Sequence, residues 1–108
     1  MPIRLNPTDP NAASVAETEL PGAGRLLATL ATEATEALAA LPAAAGVQET
    51  LDAFIAYRRA QVKPRRVEDR IILLIHRAGA SPHAIGNALG INPQTITRRI
   101  EAAIAEGD

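Results

Sequence analysis

The sequence predicts an all-α fold of about five helices, and three observations carry that prediction. Alanine is abundant and the β-branched residues form no alternating runs, which favours helix over sheet. Apolar side chains recur at three-and-four spacing through most of the chain, the pattern of one helical face. Two short segments open on the same start signal, Ser81-Pro82 and Asn92-Pro93, each a capping side chain before a proline at the first helical position.

The elements follow in order. Residues 1–21 contain Pro2, Pro7, Pro10 and Pro21 among polar residues and read as a flexible arm, with at most a turn of helix from Val15 to Leu20. A first helix spans about Ala23 to Leu41, with Leu27, Leu30, Ala34, Leu38 and Leu41 on one face; Pro42 and Gly46 end it. That stripe serves as core or as a surface for a partner. A second helix runs from Val47 to about Val62 and turns Val47, Leu51, Phe54, Ile55 and Val62 inward. Pro64 then breaks the pattern, because the residue before a proline is pushed out of the α region. A third helix, from Pro64 or Arg65 to Ala78, carries Val67, Ile71, Leu74, Ile75 and Ala78 inward, and Gly79 follows it. Two shorter helices complete the chain, the first stopped by Gly90 and the second fading before Gly107.

At 108 residues the chain is one small domain, or a domain with an arm. Its core is modest, so association with a second copy is a natural way to bury more apolar surface. Phe54 and Tyr57 are the only aromatics, which leaves the core to Leu, Ile, Val and Ala. There is no cysteine, hence no disulfide and no thiolate-bound zinc, and two histidines make no metal site. No apolar run nears ~20 residues and no signal peptide is visible, so a cytoplasmic location is expected.

The net charge of −1 hides a strong asymmetry. Residues 1–52 carry two basic and seven acidic side chains, residues 53–100 carry nine basic and two acidic, and the last eight carry three acidic. A basic half of this kind is the electrostatic footprint of a nucleic-acid binder, although a solvated basic face has the same composition.

The basic half contains PHAIGNALGINPQTITRRI, Pro82 to Ile100. Two short helices meet at a turn around Gly90, where a tight turn between crossed helices needs positive φ. Gly86 is small enough to let the helices approach. Ile85 and Leu89 face inward from the first helix, Ile91 plugs the gap, and Ile96 and Ile100 face inward from the second. Together these features describe a helix-turn-helix over Ser81 to Ala103. GINPQTITRRI resembles the turn and recognition helix of the lactose-repressor family, whose run has the form glycine-valine-serine-X-glutamine-threonine-valine-serine-arginine. It is also similar to the DNA-binding domains of resolvases and invertases and to sigma-factor-like helix-turn-helices. The resemblance is confined to this motif. It implies a tri-helical core supported by the helix ending at Ala78, and base-reading positions at Gln94 and Arg98. Alanine is usual where Gly86 stands. Glycine there weakens the helix by roughly 0.5–1 kcal/mol, so that helix leans on tertiary packing.

Roles follow from the geometry of such a motif. The first turns of the recognition helix present Pro93, Gln94, Thr95, Thr97 and Arg98 to base edges. Gln94 can bond adenine, and Arg98 guanine, each through two hydrogen bonds. Ser81, His83 and Asn92 lie at helix N-termini, where backbone N–H groups attract phosphate, though capping is the first role of Ser81 and Asn92. Arg99, Arg65, Arg66, Arg70 and Arg77 are candidates for phosphate contacts. His76 and His83 otherwise read as surface histidines.

No catalytic constellation is expected: there is no nucleophilic cysteine, no evident carboxylate pair and no phosphate-binding glycine loop. No cofactor, small-molecule ligand or membrane is implied. The expected organisation is an arm over 1–21, a helical dimerisation region over 22–62 and a DNA-binding unit over 64–108. The expected function is a homodimeric regulator of transcription, a repressor, on a palindromic site in double-stranded DNA. Two other readings fit the same residues. One is an accessory protein of a plasmid, phage or conjugative element that marks an origin or packaging site. The other is a helical module that binds protein.

Overall fold

The computed structural model describes residues 2–107; Met1 and Asp108, the outermost residues of the expected arm and DNA-binding unit, lie outside them. The described residues are all-helical, in five segments: α1 (Pro10–Ala39), α2 (Val47–Arg59), α3 (Val62–Arg77), α4 (Pro82–Leu89) and α5 (Pro93–Ala105). No helix among them is long and apolar enough to cross a membrane.

The first departure from expectation is at the N-terminus. Helix α1 begins at Pro10, so residues 10–21 are not a flexible arm. Asp9 caps it, its carboxylate accepting from the N–H groups of Asn11 at 3.1 Å and Ala12 at 3.2 Å, and Pro10 takes the first helical position. Pro21 sits inside the helix, where it lacks an N–H for the Glu17 carbonyl. Both residues are exposed, so that carbonyl faces water, and packing on both sides of Pro21 holds the helix together. Upstream, Ala13 and Ala16 are buried; downstream, Leu27, Leu30, Ala34, Leu38 and Leu41 are buried or half-buried, as expected of that stripe. The stripe therefore packs within the chain.

Residues 2–9 form an irregular strap. The Asn6 N–H donates to the Gly79 carbonyl at 2.9 Å. The strap lies so close that a Cβ on Gly79 would meet the Asn6 nitrogen at 2.6 Å, and Gly79 itself has φ of +120°. The same turn is tied by His76, whose Nδ1 donates to the Ala80 carbonyl at 2.8 Å. His76 is thus half-buried and structural, not a surface histidine.

Helix α1 runs antiparallel to α3. Its early turns (Ala12, Ala16, Glu19) meet Arg70, Leu74 and Arg77, and its later turns (Leu30, Ala34) meet Val62 to Arg66. An ion pair from Glu19 to Arg70 at 2.9 Å joins the two. Helix α3 is the central element, with α1 on one side and α5 on the other. Burial on both sides explains why Ile72 and Leu73 are core residues in addition to the expected Leu74 and Ala78.

Two expectations for α2 are overturned. The helix ends at Arg59 and the chain breaks at Ala60–Gln61, so Pro64 falls in the first turn of α3. There its missing N–H costs nothing, because the first four N–H groups of a helix have no partner within it. The face expected inward is outward: Val47, Leu51, Phe54, Ile55 and Val62 are all exposed. Ala53, Tyr57 and Ala60 form the buried or half-buried side instead, and α2 packs on α1. Small alanines on that side let the two helices approach.

The C-terminal core joins Ile72 and Leu73 of α3, Ala80, Ile85 of α4, and Ile96, Ile100 and Ala103 of α5, with Ile75 and Ile91 against it. Leu89, expected in this core, is exposed. It is the last residue of an eight-residue helix, and the chain turns away at Gly90 before any neighbour covers it.

Candidate nucleic-acid interface

The segment from Ser81 to Arg98 is built by local signals that each have a visible partner. Ser81 Oγ accepts from the Ala84 N–H at 3.0 Å and starts α4. Asn92 Oδ1 accepts from the Gln94 N–H at 2.8 Å and starts α5. Both helices carry proline at the first position. Between them Gly90 adopts the left-handed conformation, φ 70° and ψ 31°. The Gly86 carbonyl accepts from the Ile91 N–H at 2.9 Å, which draws the chain back across α4. A Cβ on Gly86 would lie 2.5 Å from the Ile91 carbonyl oxygen and 3.3 Å from the Pro93 nitrogen. Alanine, usual at this place in the motif, does not fit here without movement of backbone.

Helix α5 is anchored by Ile96, which is fully buried, and by Ile100 and Ala103. That inward face fixes what points out. Gln94 and Arg98, four residues apart, are neighbours on the opposite face and both are exposed. Neither side chain has a partner among the described residues, so a guanidinium and an amide stand ready for an outside acceptor. Thr97 is exposed beside them, its hydroxyl donating back to the Pro93 carbonyl at 3.2 Å. Pro93 and Thr95 are half-buried. Ser81, His83 and Asn92 are exposed at the two helix starts. Glu101, which the motif does not single out, is exposed one turn beyond Arg98 on the same face. Its carboxylate can only accept, so it opposes phosphate and suits an amino group.

The remaining arginines are placed differently from expectation. Arg99 is not available for a phosphate. Its side chain is 9% exposed and its Nε donates to Asp69 Oδ1 at 2.5 Å, with Glu68 at 3.5 Å. This pair ties α5 to α3, and Arg65 approaches the same Asp69 at 4.0 Å. Arg66 pairs with Glu106 at 3.5 Å, at the C-terminal end of α5. Helices α3 and α5 are antiparallel, so Arg66 lies about a helix length, ~20 Å, from Gln94. Arg70 and Arg77 border Ala12 and Ala16 of α1, and Arg77 also lines the hollow beside Ser81 and Pro82 at the start of α4. Five expected phosphate contacts therefore do not gather at the start of α5, and carboxylates of the chain engage four of them.

The signal for Arg99 was present. Ile96, Arg99, Ile100 and Ala103 share one three-and-four pattern, which marks position 99 as inward; Glu68 and Asp69 are the two carboxylates of α3 able to meet it. Among the described residues no group of three or more His, Asp or Glu is placed to hold a metal ion. No family model matches the sequence, no curated protein matches it, and no solved structure matches its fold.

Proposed function

We propose that the chain is a sequence-specific DNA-binding protein that lays α5 in the major groove and regulates transcription as a homodimer on a palindromic site. The observation that carries this reading is the pairing of α4 and α5. Two capped helices meet at a left-handed glycine, held in close approach by Gly86, with Gln94 and Arg98 exposed and unpartnered on the outer face of α5. A major groove admits one helix, and its base edges offer two acceptors on guanine and a donor–acceptor pair on adenine. Arg98 and Gln94 supply the matching groups. At the starts of α4 and α5 the Ala84 and Gln94 N–H groups are taken by their caps, so flanking phosphates fall to the exposed polar side chains there, Ser81, His83 and Asn92.

One such unit touches few bases. Two copies on half-sites ~34–36 Å apart, or multiples of that, give the usual specificity. Arg99 is buried against Asp69 and Arg66 lies at the far end of α5, so neither adds a phosphate contact beside the start of that helix.

Selection from a randomised duplex library, with recovered sequences retested at two salt concentrations, tests this reading. Recovery of an inverted repeat with helical-turn spacing supports it. Tandem direct repeats would favour an accessory protein that marks an origin or packaging site. No enrichment, and no affinity at low salt, would overturn DNA binding and leave a protein-binding module.

A further inference from the structure

The described surface has one continuous apolar stripe on a regular helix, and it lies on α2. Val47, Leu51, Phe54 and Ile55 follow the i, i+4, i+7, i+8 pattern of a single face. Val47 is 89% exposed and Phe54 is 47% exposed. The stripe amounts to roughly 400 Å² of apolar side chain, about the largest patch a monomer usually leaves in water. Arg58 is the one charged residue within it, and its guanidinium lies over the Phe54 ring at 6.0 Å. The opposite side of α2 is already occupied by α1. DNA does not suit this stripe, since bases are reached by polar groups and phosphates by basic ones.

We propose that the α2 stripe is the two-fold interface between copies of this chain, with α2 antiparallel to α2 of the partner. This deepens the homodimer part of the function proposed above. The charge pattern selects both the occupant and the direction. Asp52 and Arg59 are seven residues apart and flank the same edge of the stripe. An antiparallel pair sets Asp52 against the partner's Arg59, and Arg59 against the partner's Asp52. A parallel pair carries the two copies of this edge to opposite sides of the dimer, where neither Asp52 nor Arg59 meets its counterpart. A surface complementary to its own two-fold image is what an isologous dimer requires. The stripe supplies about half of the ~800 Å² that each side of a standard interface buries, and its charged and polar edges supply the rest.

The chain has no cysteine, so single cysteines report the geometry directly. Asp52 opposite the partner's Arg59 centres the antiparallel pair between Ile55 and Ala56, so position 55 lies beside its own copy. Position 47 lies ~25 Å from its copy at 1.5 Å per residue. A disulfide spans only about 4.4–6.8 Å between Cα atoms. Oxidised Ile55→Cys is therefore expected to run as a covalent dimer, and oxidised Val47→Cys as a monomer. By light scattering the unmodified chain is expected at twice 11.3 kDa, and Phe54→Glu at 11.3 kDa with its helical circular dichroism intact. Asp52→Arg and Arg59→Asp each weaken dimerisation several-fold, and the double substitution restores it. A monomeric unmodified chain, a Phe54→Glu variant that stays dimeric, or cross-linking at position 47 would overturn the interface. Binding of Phe54→Glu to a half-site duplex separates the two proposals. A monomer that still binds the half-site keeps the DNA reading, and a dimer that binds no duplex removes that reading and leaves the interface standing.

Discussion

Gly86→Ala is the substitution whose sign depends most sharply on how α4 meets α5. By helix propensity alone, alanine in place of a helical glycine stabilises by roughly 0.5–1 kcal/mol. The structure predicts the reverse. The added Cβ would stand 2.5 Å from the Ile91 carbonyl oxygen, where carbon and oxygen normally come no closer than about 3.3 Å. The obstructing atom is backbone, fixed by the bond from the Ile91 N–H to the Gly86 carbonyl, so it cannot rotate aside. Relief needs a shift of close to an ångström between α4 and the start of α5, at a cost of ~1–3 kcal/mol. The net loss, ~1–2 kcal/mol, corresponds to a fall in Tm of roughly 5–15 °C for a domain of this size. Gly24→Ala is the matched control. Gly24 is also helical, and nothing lies within 4 Å of its Cβ position, so alanine there should raise Tm by a few degrees. Thermal unfolding followed by circular dichroism measures both. If Gly86→Ala raises Tm as Gly24→Ala does, the Ile91 carbonyl does not lie against Gly86 and α4 and α5 do not meet in this close approach.

Further predictions concern the two faces of α5. Arg98→Ala and Gln94→Ala should each cost ~1–3 kcal/mol on the selected site and relax discrimination at one base pair, as read by competition among single-base variants. Arg66→Ala should leave the slope of log affinity against log salt unchanged, because Arg66 pairs with Glu106 at the far end of α5; a slope shallower by about one would place it on a phosphate. Asp69→Ala should destabilise by ~2–3 kcal/mol in urea unfolding, since it strands a guanidinium whose side chain is 9% exposed. Glu68→Ala, at a 3.5 Å contact with a carboxylate side chain 47% exposed, should cost under ~1 kcal/mol; equal losses would show that the pair with Asp69 is not the dominant one.

The parts of this fold that were legible in the sequence are those fixed by neighbours along the chain. Ser81 and Asn92 cap, Pro82 and Pro93 begin, and Gly90 turns, each within a few residues of the group it serves. The same grammar stands at Asp9-Pro10 and marks the start of α1. Four prolines nearby suggest an arm only when counted without regard to position: Pro10 is at the one helical place that tolerates it, and Pro21 is carried by burial on either side. What was not legible depends on which side of an amphipathic helix finds a neighbour. Periodicity identifies the stripe from Val47 to Ile55 but not its cover, and here Ala53 packs while Phe54 does not. Helix α3 shows the opposite case, with Ile72 and Leu73 buried in addition to one stripe because helices lie on two sides. At the site, Gln94 and Arg98 are exposed as the motif implies. The arginines were misplaced because formal charge does not reveal partners. Arg99, Arg66 and Arg70 each answer a carboxylate that is distant in sequence.

The most direct test of the central claim is a titration of the isotope-labelled chain with its selected duplex, following backbone amide shifts. The largest changes are predicted at Ser81 to Ala84 and from Asn92 to Arg98, with α1 and α2 unmoved. Changes confined to α1 or α2, or none at low salt, would contradict major-groove recognition by α5.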